Sequence, residues 1–502
     1  MGFPSRISFP VQTAVGLSGG LNFIFCRERI SHTTLVSDIV SLIDAPADKT
    51  SAKQIWVGDC LITVKFLKSK FYTINSKVRQ EIMKVPIFLI IILMLTTPVY
   101  ASDWMMFKND EAHSGFTADT VKPPLVLKWT NNLGFDTDSS PVIVNDVLYI
   151  GSNNGIHAID AKSGKNIWMT PINGFVKAVP AVVDGILYIG PDDKRFYAID
   201  TKDGSIKWIF KNSTEGYLSS PIVIGNLVYV GSKDGNLYAI NIKTGEPAWK
   251  YSSGRDIDSS PAVVDGTVYF GNDDSNVFAL DAISGSKKWI YDSGSSPIKS
   301  SPTVSNGIVY IGSNNGNILA LNAGNGAVKW TYTTGNNIET SPSINNGMLF
   351  AGSKDGYFYA LDSESGKLIW KFQTAGFVYS SSAVISNDVV YFGSRNNWIY
   401  ALDAKTGERL WRNITGTNDK DDITSPAISE DTLYFATHSG LVSAYTSGGT
   451  GQTAPATTQG GPRATESTQN QKNQPSGAQK TPGFEYAGII ILITVFIKKR
   501  FF

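Results

Sequence analysis

The sequence predicts an all-β ring of eight four-stranded units, and three observations carry that expectation. Trp129, Trp168, Trp208, Trp249, Trp289, Trp330, Trp370 and Trp411 follow one another at intervals of 39 to 41 residues. A second series recurs in step with them. Ser-Ser-Pro or Thr-Ser-Pro stands at 139–141, 219–221, 259–261, 300–302, 340–342 and 424–426, with Ala-Val-Pro at 178–180 and Ser-Ser-Ser at 380–382 in the two gaps. Between the two markers each unit reads as short β-branched or alternating runs joined by polar turns, as in PAVV, TVYFG, NVFALD and KKWIY of the fourth unit. Four-stranded units of about 40 residues, repeated four to eight times, are the signature of a β-propeller.

Each strand boundary has a local reason. The first two strands of a unit are joined by Asp184-Gly185, Asp265-Gly266, Asn306-Gly307 or Asn346-Gly347, the strongest short-range hairpin signal because both residues tolerate positive φ. A glycine stands four residues before each of the last seven tryptophans, as at Gly366 before Trp370, and marks the turn into the fourth strand. Eight residues before those tryptophans comes Asp160, Asp200, Asn241, Asp281, Asn322, Asp362 or Asp403. Sevenfold repetition of an acid or amide there predicts a side chain that caps the turn. No sustained helical period appears between Lys122 and Tyr445. The last unit runs into a polar segment without a tryptophan strand of its own, and the strand around Trp129 has no unit of its own. That strand is expected to complete the eighth blade, so that no open edge remains between first and last blade.

The phrase GSKDGNLYAINIKTGEPAWKY at 231–251, returning as GSKDGYFYALDSESGKLIWKF at 352–372, resembles the PQQ-like propeller repeat over roughly Trp104 to Tyr445. The resemblance implies an eight-bladed ring of a family that includes quinoprotein dehydrogenases, the scaffold lipoprotein of bacterial outer-membrane protein assembly, and surface proteins of archaea. Fold alone does not choose among them. For a dehydrogenase the resemblance implies a catalytic aspartate beside a calcium ion, and a quinone between a tryptophan and a vicinal disulfide. The two cysteines, Cys26 and Cys60, are not adjacent, and no long insertion roofs the ring. The expectation is therefore a protein without catalytic residues, cofactor or metal.

Composition agrees with that reading. Charged residues are 17% and the formal net charge is +1, which gives no basic stripe for a nucleic acid. Both cysteines precede the ring, so it must hold itself by burial, and truncating a blade tryptophan is expected to cost about 3–5 kcal/mol, as for a large core aromatic. No triad or phosphate loop emerges. GNDDSN at 271–276 and GPDDKR at 190–195 look like calcium-loop fragments but occupy the hairpin that holds NNG and KDG elsewhere. His157 and His438 stand alone in their blades. His113 belongs to a head segment, 102–124, expected to pack on one face of the ring.

Outside the ring (125–446), the chain divides by composition. Residues 83–101, MKVPIFLIIILMLTTPVYA, read as a secretory signal peptide with cleavage before Ser102, or as a membrane anchor with a small extension before it. Residues 1–82 have no repeat and little pattern and read as an unassigned segment, with Met83 as the working start. Residues 447–481 are rich in Ser, Thr, Gly and Gln, a stalk that cannot bury a core. Residues 482–502 open with Pro-Gly-Phe, continue through a short apolar run and end in Lys498-Lys499-Arg500 before two phenylalanines. They resemble the PGF-CTERM sorting signal of archaeal surface proteins, which implies removal of the tail and lipid attachment. A plain C-terminal membrane anchor is the alternative, and either tethers the ring at the cell surface. Asn212 and Asn413 open N-glycosylation triplets on expected surface turns.

What remains for function is a binding surface for a protein or glycan of the cell envelope. The loops leading into the innermost strands should ring the channel mouth, where an unchanging framework carries variable positions: Asp138, Lys177, Leu218, Asp258, Lys299, Glu339, Tyr379 and Ile423. Variable loops on a rigid scaffold are where recognition concentrates. With Asp136, Asp256, Asp421 and Asp422 beside them, the mouth is expected to be mildly negative.

Overall fold

The structure, a computed structural model, describes residues 103–294, 296–415 and 421–448, together with the backbone of 53–57 and 60–64. The expected signal peptide and C-terminal signal lie outside the described residues, as does the expected stalk except for 447 and 448, of which Ser447 ends the last strand of the ring. Two units separate. In Met1–Tyr100, the strands Lys53–Val57 and Cys60–Val64 form an antiparallel hairpin with Lys53 opposite Val64, where the sequence had suggested little pattern.

The second unit, Ala101–Phe502, contains eight antiparallel four-stranded blades. In the fourth blade the order from the channel outward is Ala262–Val264, Thr267–Gly271, Asn276–Asp281 and Lys287–Asp292. The expected turns close the inner hairpins: Asp265 and Gly266 have φ of 49° and 66°, and Asn346 and Gly347 have 49° and 76°, the positive pair of a type I′ turn whose twist suits paired strands. Second and third strands are almost wholly buried, as in Val268, Phe270, Phe278 and Leu280. The core therefore lies between blades, where the faces of neighbouring sheets meet.

The ring closes as its periodicity predicts. Leu125–Asn132 pairs with Leu441–Ser447, from Leu441 opposite Asn132 to Ser447 opposite Leu125, and supplies the outer strand of the eighth blade. The tryptophans act at the boundaries between blades. Seven donate their indole N–H to a carbonyl of the next blade's outer hairpin: Trp129 to Ala161, Trp168 to Thr201, Trp208 to Ile242, Trp249 to Ala282, Trp289 to Ala323, Trp330 to Ser363 and Trp370 to Ala404, at 2.8–3.1 Å. Their rings lie over the glycine of that hairpin. Trp411 differs because the eighth blade has no such hairpin, its outer strand coming from elsewhere in the chain, and its ring meets Tyr445 edge-on at 5.6 Å. Of the eight only Trp129 and Trp289 are buried, at 9% and 7% exposure, so these side chains are clasps at blade edges rather than the deep core aromatics expected from sequence. The turn-capping acids behave as expected: Asp362 Oδ1 accepts from Ser365 N at 2.7 Å and Asp403 Oδ1 from Thr406 N at 2.8 Å. The Ser365 hydroxyl and N–H hold the Asp362 carboxyl below the usual carboxylate range; at Asp403 burial is the largest single influence and raises the pKa, but the bonds from Thr406 and Lys405 outweigh it and the net shift is also downward.

The head segment does more than cover a face. It runs around the inside of the channel and offers carbonyls to the inner strands in turn, Met105 to Val182, Glu111 to Val263, Ala112 to Val304, Ser114 to Ile344 and Gly115 to Ile385, at 2.8–2.9 Å. Phe116–Thr117 then adds a parallel strand to the seventh blade. Trp104, Met106, Lys108 and His113 are buried by this arrangement. Lys108 Nζ donates to Thr303 Oγ1 at 3.2 Å and to the Pro342 carbonyl, and His113 Nδ1 lies 3.0 Å from the Pro302 carbonyl. Burial holds the Lys108 ammonium well below its ordinary pKa and pulls His113 down to about 3.

Candidate functional site

The repeated serines build the channel wall. In four blades the first hydroxyl of the motif ties its own blade: Ser219, Ser259, Ser300 and Thr340 accept the N–H of the glycine twelve residues later, at 3.0–3.1 Å, whereas Ser139 donates to the Ala178 carbonyl of the next blade at 2.8 Å. The second ties blade to blade. Ser220 N donates to Ser260 Oγ, Ser260 N to Ser301 Oγ, Ser301 N to Ser341 Oγ, Ser341 N to Ser382 Oγ, Ser382 N to Ser425 Oγ, and Ser425 N to Ser140 Oγ, at 2.9–3.0 Å. Val179 N continues the series by donating to Ser220 Oγ at 3.0 Å, but Val179 has no hydroxyl to receive Ser140. A cavity of about 10 Å³, room for one water, lies between this belt and Trp104, Phe107 and Lys108 of the head. The head thus floors the channel beneath this belt.

The belt corrects one register. In the seventh blade Ser381 Oγ, not Ser380 Oγ, accepts the N–H of Gly393, at 2.8 Å, so the motif there is Ser381-Ser382-Ala383. The preceding loop consequently holds two residues, Tyr379 and Ser380, where most blades hold one. In the eighth blade it holds none. Ile423, expected on the rim, is fully buried and wedges against Gly393, where a Cβ would lie 2.5 Å from its own. Asp422 takes its place at the mouth.

The rim that results is a set of ion pairs. Asp138 meets Lys177 at 3.3 Å and His438 Nδ1 at 2.6 Å; Lys299 is shared by Asp258 at 3.1 Å and Asp273 at 3.6 Å; Glu339 meets Lys354 at 2.7 Å. Tyr379 donates its hydroxyl to Asp422, which also faces Arg395 at 3.8 Å, and Lys354 lies over the Tyr379 ring at 4.9 Å. Asp136 is exposed and Asp256 half-buried, and their carbonyls accept Asn153 N and Asp273 N. Asp421 is buried and bonds Ser439 through backbone and hydroxyl, so it holds a turn and does not project into the mouth.

Sequence reasoning missed the second circle of the mouth. Asp273, Lys354, Arg395 and His438 each stand two residues after the glycine or alanine that closes a second strand. That column varies as the first one does, which was the available signal. Acceptors outnumber donors in one sector: Asp258 Oδ1, Asp273 Oδ1 and Asn314 Oδ1 are buried without a hydrogen-bond partner. Burial, and then the charge of Asp258, raise the Asp273 pKa. His438, which looked isolated in sequence, faces Asp138 across the ring closure. Partial burial disfavours its charge, but the bond and charge of Asp138, with Asp136 and Asp421 behind, outweigh burial and raise its pKa. Because the folded value is raised, the stabilisation from this pair is complete below the imidazole's ordinary pKa and is lost as pH rises through the folded one. An NMR titration should place His438 above the ordinary imidazole range, and Asp138→Asn should bring it down. An unchanged midpoint would refute the pairing.

A quinone and calcium, which the fold family brings to mind, do not fit these residues. No vicinal cysteines exist in the sequence. Seven tryptophans are committed to blade boundaries, Trp411 meets Tyr445, Trp398 lies under the Arg412 guanidinium at 4.3 Å, Trp104 is buried in the floor, and among the described residues no group of three or more His, Cys, Asp and Glu is placed to hold a metal ion.

Comparison with known proteins agrees with the ring. A family profile described as outer membrane protein assembly factor BamB matches residues 126–289, 216–337 and 273–471. Among curated relatives, BamB of Moranella endobia is 33% identical over 87 residues, 17% of this chain and 22% of that protein. BamB of Escherichia coli is 28% identical over 109 residues, 18% of this chain and 28% of that protein. The quinohemoprotein alcohol dehydrogenase of Comamonas testosteroni is 28% identical over 138 residues, 24% of this chain and 19% of that protein. The chain thus spans about a quarter of the length of the curated relatives it matches. Among solved structures, BamB of Moraxella catarrhalis superposes with a TM-score of 0.57 at 18% identity, over 64% of this chain and 99% of that one. The dehydrogenase ADHIIG of Pseudomonas putida gives 0.61 at 15%, over 71% and 82%; likenesses this distant speak for the fold alone. With the profile covering more than half of the sequence, the chain belongs to the BamB-type family of PQQ-like propeller repeats.

Proposed function

We propose that this protein is a non-catalytic, extracytoplasmic scaffold, tethered at the cell surface, whose channel mouth binds a basic segment of a protein partner in the envelope. The observation that carries the reading is the surplus of acceptors at the mouth. One lysine, Lys299, serves both Asp258 and Asp273, and buried carboxylate oxygens remain without donors; a partner's lysine or arginine supplies what is missing. Relatives described as assembly factors support protein binding as the activity of such a ring. The C-terminal resemblance to an archaeal sorting signal favours a surface scaffold over assembly at an outer membrane. The likeness to quinohemoprotein dehydrogenases supports a second reading, oxidation of an alcohol, but the mouth lacks the residues that would hold the quinone.

The test is the triple change Asp138→Asn, Asp258→Asn, Glu339→Gln. The Asp138 pair is exposed and worth up to about 1 kcal/mol; Asp258 and Glu339 are only 13% and 20% exposed, but the amides keep their shape and remove the cost of a buried charge, so the fold should persist with a small drop in melting temperature. The change frees Lys177 and Lys354, leaves Lys299 to Asp273 alone and raises the mouth charge by about three units, so recovery of the partner from cross-linked envelopes should fall and lose its salt dependence. Exposed charges act over about 8 Å at physiological salt. Equal recovery by wild type and variant at low salt would remove the mouth as the recognition site.

A further inference from the structure

We infer that Asn212 carries an N-linked glycan and that Asn413, which opens the chain's other Asn-x-Ser/Thr triplet, does not. The inference rests on the extracytoplasmic placement proposed above. Sequence treats the two triplets alike, and the structure separates them.

Asn212 lies in the mouth-side loop between the outer strand Ile206–Phe210 of the second blade and the inner strand Ile222–Ile224 of the third. Its backbone is pinned from the third blade. The buried Ser213 hydroxyl meets Ser232 Oγ at 2.7 Å and Asp234 Oδ2 at 3.0 Å, Thr214 N donates to Asp234 Oδ2 at 3.1 Å, and the Tyr238 hydroxyl donates to the Asn212 carbonyl at 3.2 Å. Asn212 and Thr214 themselves are exposed, and neither the amide of the first nor the hydroxyl of the second has a partner among the described residues. Those are the two groups that a glycosyl-transferring enzyme must hold. Asn413 is the reverse case. It sits inside the outer strand Arg409–Ile414 opposite Ile399, and its amide donates to the Tyr445 hydroxyl at 2.8 Å. Thr415 is buried, with its hydroxyl directed at the Asn397 carbonyl. To be modified, this triplet must leave its sheet.

The donor is an oligosaccharide carried on a lipid phosphate or pyrophosphate. Asn212 Nδ2 forms the bond to the anomeric carbon, the carbon–oxygen bond to the phosphate breaks with its electron pair leaving on the phosphate, and the amide proton passes to a base of the transferase. A glycan there stands over the Ser232–Tyr238 hairpin of the third blade, in a different blade from the ion pairs of Lys299, Lys354 and Arg395.

The experiment is peptide mapping by mass spectrometry of the protein from its own cells, with the mature N-terminus read in the same digest. The Asn212 peptide should carry hexose-containing mass, and Asn212→Gln and Thr214→Ala should each abolish it. Thr214→Ser should keep it, and Asn413→Gln should leave the mass of the modified protein otherwise unchanged. An N-terminus near Ser102 with a bare Asn212 would overturn the inference while leaving export standing. Equal modification of Asn413 would overturn the accessibility argument. An uncleaved leader with no glycan would sink the export reading and the inference with it.

Discussion

Deleting Leu125 to Asn131 should lower the melting temperature by more than about 10 °C or abolish cooperative folding. Deleting seven residues around Asn470, in the stalk segment, should change it by about a degree at most. The strand does three things at once. It pairs along the whole of Leu441–Ser447, an edge that would otherwise face solvent. Its Trp129 is buried and donates to the Ala161 carbonyl of the first blade at 2.9 Å. Its Asn131 amide donates to the Gly164 carbonyl of the same hairpin at 2.7 Å. Removing the tryptophan alone should cost about 3–5 kcal/mol, and loss of six of the seven pairs of the ladder adds to it. That sum is a large part of the 5–15 kcal/mol that typically stabilises a domain, and about 2 °C of melting temperature accompanies each kcal/mol in a large one. Differential scanning calorimetry of the two deletions decides the matter. Equal melting temperatures would show that the ring does not depend on its N-terminal strand.

That closure was legible because it follows from counting. Eight motif starts and eight tryptophans are offset by one strand, and only a ring accommodates the offset. The capping acids were legible for a similar reason, since a side chain that recurs seven times at one spacing has one local partner. The mouth was less readable, and the reasons are particular. At the seventh blade Ser380, Ser381 and Ser382 offer two registers of the same motif. Only the hydrogen bond from Gly393 N to Ser381 Oγ chooses between them; Ile423 leaves the rim for a separate reason, because no residue stands between it and Thr424, whose hydroxyl accepts Ala436 N at 3.1 Å. The lysines and the histidine that neutralise the rim sit in a different turn from the acids they meet, 15 residues apart for Lys354 and Glu339 and 300 for His438 and Asp138. Proximity of that kind comes from ring geometry and leaves no local pattern. The head segment was opaque for the same reason, because its successive carbonyls pair with strands of six different blades.

The glycine before each tryptophan also has a reason that spacing alone could not supply, and Gly366 tests it. Its φ is +70°, and a Cβ built there would lie 2.6 Å from Cδ2 of Trp330, the clasp of the preceding blade. Gly347 has φ +76° and nothing within 4 Å of its Cβ position. Alanine at either site must adopt the left-handed conformation, at about 1–2 kcal/mol. Gly347→Ala should cost that and no more. Gly366→Ala must also displace the indole, which loses its 2.9 Å bond to the Ser363 carbonyl and its tilted contact with Tyr310 at 5.9 Å. The Ser363 carbonyl keeps the Tyr310 hydroxyl at 3.1 Å, so the lost hydrogen bond costs about 0.5–1.5 kcal/mol and the aromatic pair about 0.5–1.5 kcal/mol, and the whole penalty should reach about 2–5 kcal/mol in urea unfolding. The decisive comparison is a double-mutant cycle. With Trp330→Ala already in place the obstacle is gone, and Gly366→Ala should then cost no more than Gly347→Ala. A penalty that survives beside Trp330→Ala would place the cost in the turn itself and remove the stacked indole as the reason for the glycine.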